Sequence, residues 1–219
     1  MKKLFKDPNL LELALTHRSW LNEHKSVRSS NERLEFLGDA VLEFVISREI
    51  YLAFPDKEEG YLTALRASLV NTTALSEVAK KLELGKLIHL SKGEQDTGGR
   101  ENPSLLADTV EAIIGALFID QGLENASRFI MEHIANDLEK RALMPLKDPK
   151  SSLQEFVQGK SLPTPKYKVI SEVGPDHQKR FEIEVEISGK AYGRGEGRSK
   201  SEAQQAAAKI ALSMIQSRS

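Results

Sequence analysis

"LLADTVEAIIGALFID", residues 105–120, predicts a helix that is apolar on almost every side; only Asp108, Thr109 and Glu111 interrupt it before Asp120. A helix of that kind belongs in the middle of a domain. Its centre nevertheless carries Asp108 and Glu111, three residues apart and so on one face. A buried carboxylate without a partner costs several kcal/mol or takes up a proton. Something positive is therefore expected opposite this face.

Outward from that stretch, residues 8–141 keep a helical period throughout. Asp7 and Pro8 predict an N-cap and first helical position for "DPNLLELALTHRSWL". "NERLEFLGDAVLEFVISREIYLAF" reads as a helix capped at Asn31 and stopped by Pro55, and "EEGYLTALRASLV" and "TTALSEVAKKLEL" as two more. "SKGEQDTGGREN" (91–102) reads as a polar loop made mobile by Gly98 and Gly99. Asn102 and Pro103 cap the apolar helix, which is expected to stop near Gly122, with a last amphipathic helix from about Glu124 to Arg141. This first domain, residues 1–141, is all-α.

Residues 142–149 read as a linker, with prolines at 145 and 149. Beyond them the period becomes two. In "RFEIEVEIS", Phe181, Ile183, Val185 and Ile187 fall on one face and Glu182, Glu184, Glu186 and Ser188 on the other, the pattern of a half-buried antiparallel strand. "KYKVISEVG" is its expected partner, and "GKAYGRGEG" a third, shorter strand. With a helix on either side, residues 150–219 form a small α+β module of order α-β-β-β-α.

The 219 residues contain no cysteine, which excludes disulfides and thiolate metal sites and fits a cytoplasmic location. No apolar run is long enough to span a bilayer, and the N-terminus lacks the apolar core of a secretion signal. The net charge of −1 hides an uneven division: residues 1–150 carry a net −4 and residues 151–219 a net +3. An acidic part that holds metal and a basic part that holds an anion would divide the charge in this way.

Glu35 and Asp39, spaced i and i+4, also share a helix face, and Glu32 and Glu43 extend their row. Two chemistries could answer these carboxylates and the pair Asp108 and Glu111. One is an ion-pair network with a base such as Arg33 or Arg66. The other is a hard divalent cation, which takes oxygen ligands and needs neither Cys nor His. A di-iron bundle would need Glu-x-x-His motifs, and no His stands three residues after a Glu near this cluster. His17 reads as a satisfied core histidine rather than a substrate contact, Trp20 as a packing residue, and Arg66 as the partner of a nearby Glu.

In the second module, Arg198 and Lys200 stand at the start of the last helix, a natural phosphate seat. Gln154, Glu155 and Gln158 line a polar helix face, and the loop "GPDHQK" presents His177 and Lys179. Three separated polar contacts suit double-stranded RNA, read by shape across successive minor grooves. The strands carry no aromatic row for stacking single-stranded bases.

"NERLEFLGDAVL" (31–42) closely resembles the signature of the bacterial ribonuclease III family, and "LADTVEAIIGALFID" (106–120) its second acidic motif. "ALTHRSW" (14–20) and "LRASLVN" (65–71) also match its pattern, and the second module resembles the family's double-stranded RNA-binding domain. The resemblance implies a homodimeric, Mg²⁺-dependent endonuclease, with Mn²⁺ able to substitute. It would cut both strands of duplex RNA to leave 5′-phosphate and 3′-hydroxyl ends, and would process rRNA precursors and other structured transcripts. It gives Glu35, Asp39, Asp108 and Glu111 the catalytic metal-ligand places, Glu32 a role toward RNA, and Phe36 a place in the dimer interface. RNA contact falls to Gln154, Gln158, His177, Arg198, Ser199 and Lys200. The rival is a non-catalytic duplex-RNA-binding protein on the same fold; its mark would be a lost carboxylate, and none is lost. One departure stands out. In "RSKSEAQ", Ser201 and Gln204 occupy places where the family commonly has Lys or Arg, so the module alone is expected to bind RNA modestly, with a flattened salt dependence.

Overall fold

The computed structural model describes residues 1–144, 146, 148–175 and 178–216. The chain divides into two compact units, Met1–Leu146 and Lys147–Ser219. The first is helical: α1 Pro8–Ala14, α2 Arg18–Glu23, α3 Glu32–Ala53, α4 Glu59–Val70, α5 Thr72–Lys81, α6 Lys92–Asp96, α7 Pro103–His133 and α8 Leu138–Ala142. The second reads α9 Pro149–Gly159, β1 Lys166–Val173, β2 Arg180–Ile187, β3 Lys190–Gly197 and α10 Lys200–Gln216. A helical domain followed by an α-β-β-β-α module is the fold class expected.

In the first unit α7 is the central helix. Val110, Ala112, Ile113, Ile114 and Ala116 are all fully buried in it. Asn102 caps it through its side-chain oxygen, which accepts from the Ser104 and Leu105 amides, and Pro103 opens it. At Gly122 the backbone leaves helical geometry (φ 80°), which only glycine adopts freely. The helix resumes and ends at His133, and α8 follows as a separate turn, so the last expected helix is in two pieces.

Three local expectations fail for tertiary reasons. The first helix does not run through "THRSW". The Thr16 carbonyl accepts from Asn31 N, the Leu15 carbonyl from His89 N, and His17 N donates to His89 O, so the backbone is drawn out of the helix there. Asn31 stands at the N-cap place of α3 but its side chain makes no cap bond; its amide donates instead to the Ala14 carbonyl, 3.3 Å away. Residues 91–102 are a folded corner rather than an open loop. Ser91 caps α6, and the Arg100 guanidinium donates to the carbonyls of Gly85 (2.7 Å) and Ile88 (3.1 Å).

In the second unit the sheet has the order β1-β2-β3, antiparallel throughout. Phe181, Ile183, Val185 and Ile187 are buried, as their alternation required. β3 is as long as β2, not shorter. Its glycines explain the difference: a Cβ on Gly195 would lie 2.1 Å from Ala207 N. A strand without side chains there can lie directly on the alanine face of α10.

Candidate functional site

The site is built where α3 crosses α7. A Cβ on Gly38 would lie 1.7 Å from the Glu111 carbonyl oxygen, and one on Gly115 would lie 2.1 Å from that of Leu34. The two backbones touch at this crossing, and no other residue fits at either position. A glycine inside a helix costs about 1 kcal/mol relative to alanine, so each is a sequence signal of close packing. Neither was singled out in the sequence reading.

The crossing brings the two acidic rows together. Carboxylate oxygens of Glu35, Asp108 and Glu111 lie within 4.8 Å of one another, and all three residues are partly buried. Burial holds the Glu35 and Asp108 carboxyls above their ordinary range. For Glu35 the neighbouring acids add to the rise, whereas His17 opposes it for Asp108. Glu111 is pushed up to about 8, by burial first and then by Asp39, Asp108, Glu35 and Glu43. Asp39, the fourth expected ligand, is exposed and stands outside the 4.8 Å group, yet among its neighbours it is the strongest electrostatic influence on Glu111.

Ion pairs answer only the ends of the acidic row, where Arg66 meets Glu43 as expected and Arg18 lies near Glu32; among the described residues none reaches Glu35, Asp108 or Glu111. Arg66 Nε pairs with Glu43 at 2.8 Å and its Nη1 donates to Ser47 Oγ, while Arg33 is exposed. Three carboxylates held together against their own repulsion form a donor set suited to a hard divalent cation, which would replace protons as the neutralising charge.

Beside Asp108 opens a cavity of about 640 Å³, walled in part by His17, Arg18, Asn22, Glu94 and Ser104. His17 is a satisfied group, as expected, but as a cap: its Nδ1 accepts from Ser19 N. Burial holds its pKa below the ordinary value. Its place on the cavity wall was not legible, because Asn22, Glu94 and Asp108 come from three separate segments. Glu32 is exposed, accepts from Ser30 Oγ at 2.7 Å and lies 3.8 Å from Arg18 Nη1. Phe36 is 80% exposed, so it is no part of the core of its own unit; Phe44 and Tyr51 are exposed along the same helix.

On the second unit Gln154 and Gln158 are exposed on α9, and Arg198, Ser199 and Lys200 are exposed at the start of α10. Ser199 Oγ accepts from Glu202 N, and Glu202 reaches back to accept from Arg198 N at 2.7 Å. This reciprocal cap fixes the helix start. Lys200 Nζ lies 3.7 Å from Glu172 Oε2. His177 lies outside the described residues.

The chain matches two family models: one described as Ribonuclease-III-like over residues 7–138, and the double-stranded RNA binding motif over residues 149–215. It is 49% identical to Ribonuclease 3 of Oceanobacillus iheyensis, over 96% of this chain and 93% of that one. To Ribonuclease 3 of Treponema denticola it is 44% identical, over 98% and 88%. Among solved structures, the nuclease domain of ribonuclease III from Campylobacter jejuni, described with a flexible region involved in dimer formation, superposes with a TM-score of 0.56 at 42% identity. It covers 62% of this chain and 93% of that one.

Proposed function

The chain belongs to the ribonuclease III family of double-stranded RNA endoribonucleases, and from that premise we propose that it cuts with Mg²⁺ and leaves 5′-phosphate and 3′-hydroxyl ends. One observation carries the reading: the oxygens of Glu35, Asp108 and Glu111 converge within 4.8 Å at a glycine-to-glycine helix crossing. These three, with Asp39 beside Glu111, would hold the ion. Bound there, Mg²⁺ supplies Lewis acidity toward the phosphoryl group and a lowered pKa for water. The carboxylates contribute by ionising fully and by fixing the ion against rigid helices. Water adds to phosphorus, the bond to the 3′ oxygen breaks, and each strand keeps a 3′-hydroxyl on one side and a 5′-phosphate on the other.

Residues 1–141 would act as the nuclease domain and 150–219 as the RNA-binding domain, joined by 142–149. The apolar face of α3 around Phe36 would pair with its copy in a second chain, giving a homodimer with one site for each strand. Glu32, Gln154, Gln158, His177, Arg198, Ser199 and Lys200 are the residues proposed to meet RNA. No helix among the described residues is long and apolar enough to cross a membrane. A cytoplasmic enzyme acting on rRNA precursors and other structured transcripts accords with that and with the absence of cysteine.

The test is cleavage of a long end-labelled duplex RNA in Mg²⁺, Ca²⁺ or chelator, with single-stranded RNA alongside. Cutting of the duplex alone, in Mg²⁺ alone, is expected, and the products should accept ligation through their 5′-phosphates. Binding without cutting by folded, dimeric protein in Mg²⁺ would overturn the proposal in favour of the non-catalytic reading.

A further inference from the structure

The start of α10 carries fewer cations than an RNA-binding surface of its kind would use: Arg198 and Lys200 are present, but the next turn offers Gln204. Lys150, near the start of α9, compensates in space. Its Nζ donates to Gln204 Oε1 at 2.8 Å, so an ammonium from a different helix stands where α10 lacks one.

The placement is built rather than incidental. Lys150 N donates to Gln205 Oε1 at 3.0 Å, and Gln205 Nε2 donates in turn to Asp148 Oδ1 at 2.8 Å, the N-cap of α9. These bonds pin the first turn of α9 to the second turn of α10. The Lys150 ammonium also lies 5.1 Å from the centroid of the Tyr167 ring, which steers the aliphatic stem across the apolar surface. Both of these partners are neutral, so neither forms an ion pair with the ammonium. An ammonium has three donors, and a single bond to Gln204 leaves others for an acceptor outside the chain. Lys200 and Gln204 are one helical turn apart, about 6 Å along the axis. Lys150 Nζ, bonded to Gln204, thus brings a cation to the helical turn after Lys200.

We propose that Lys150 of α9 is a phosphate-binding residue of the RNA-binding module, supplying the cation that α10 lacks at Gln204. The proposal rests on reading residues 149–215 as a duplex-RNA-binding module, and it replaces the expectation of a flattened salt dependence with a row whose third charge comes from a neighbouring helix.

The experiment measures binding of the full chain to a 20-base-pair RNA duplex in chelator, as a function of monovalent salt. Each phosphate contact contributes roughly 0.9 to the slope of log affinity against log salt. Lys150→Met should lower the slope by about that amount. Its deficit relative to the unaltered chain should then shrink roughly threefold to fourfold between 50 and 200 mM salt. Lys150→Arg should keep the original slope. If Lys150→Met weakens binding at every salt equally, or leaves it unchanged, Lys150 acts only by packing and the proposal fails. Gln204→Lys provides a second test that leaves Lys150 in place. With the phosphate place already filled, it should add little slope alone and should restore the slope lost in Lys150→Met. A full extra unit of slope from Gln204→Lys alone would overturn the proposal. Failure of the underlying reading would look different, because the unaltered chain would then not bind the duplex at all.

Discussion

The first unit crowds carboxylates together, partly out of water, until Glu111 holds its proton up to about 8. The second unit leaves the cations at the start of α10 in solvent, where Lys200 has an acid 3.7 Å away and Arg198 is exposed. Both face the same polyanion with opposite charge. On the proposed reading the first would meet RNA only with a cation neutralising it, and its strength would depend on how rigidly two helices are held. The second needs no ion and no deep packing, and its strength depends on the salt around it. The proposal thus puts chemistry, which must place atoms precisely, on a packed crossing, and recognition on a solvent-exposed surface.

The largest effect should come from breaking the crossing itself. Gly38→Ala drives a methyl into the Glu111 carbonyl, against backbone that cannot yield. Overpacking of this kind is expected to cost about 3 kcal/mol or more. Thermal melting of the variant should show a markedly lower midpoint, and cutting should be lost. A variant as stable and active as the original would mean that the helices part easily and that rigidity is not what the crossing provides.

Glu111→Gln leaves the crossing intact and removes one carboxyl group that can ionise toward a cation. Loss of a residue that only orients a metal ligand commonly costs 10- to 100-fold, so loss of a ligand should cost about 100-fold or more in cutting rate. Duplex binding measured alongside should fall by much less, because the second unit is untouched. Equal losses in both assays would erase the division of labour between the units.

The apolar helix and the two acidic rows could be read from spacing alone, because helical period fixes which side chains share a face. The alternation of Phe181, Ile183, Val185 and Ile187 fixed a strand in the same way. What spacing could not give was which rows meet. Glu35 and Asp108 are far apart in sequence, and their convergence depends on Gly38 and Gly115 allowing two backbones to touch. Asn31, Thr16 and Arg100 were illegible for a related reason: their hydrogen-bond partners come from distant segments, and local propensity is silent about those. Lys150 looks like an ordinary helix-start lysine until α10 is folded beside it.

The two units should also respond differently to pH. In the folded, metal-free chain Glu111 keeps its proton from its ordinary value of 4.5 up to about 8, a window in which the unfolded chain has lost it. The folded state therefore binds more protons there, and stability falls as pH rises through the window. Glu35 and Asp108, also raised, act in the same direction, while the lowered His17 opposes them in part. In chelator the melting midpoint should drop between about pH 5 and about pH 8, and Glu111→Gln should flatten the slope. Mg²⁺ should raise the midpoint more at the upper end, since the ion competes with the proton. A midpoint that rises with pH would contradict the crowding described.

The smallest effect tests the other side of the comparison. Lys200 is exposed, and its pair with Glu172 lies in solvent, so removing it should scarcely alter stability. The contribution proposed for it in binding is that of a point charge, felt by phosphate and blind to base. Lys200→Ala should therefore weaken duplex binding several-fold at low salt and by the same factor for unrelated sequences. It should also lower the salt slope by roughly 0.9. Because the loss is electrostatic it should fade as salt rises, whereas the loss in cutting caused by Glu111→Gln should persist at any salt that still allows binding. A loss for Lys200→Ala that depends on sequence would show that the second unit reads bases as well as charge. The contrast between a packed site and a screened surface would then have to be drawn within the second unit as well as between the two.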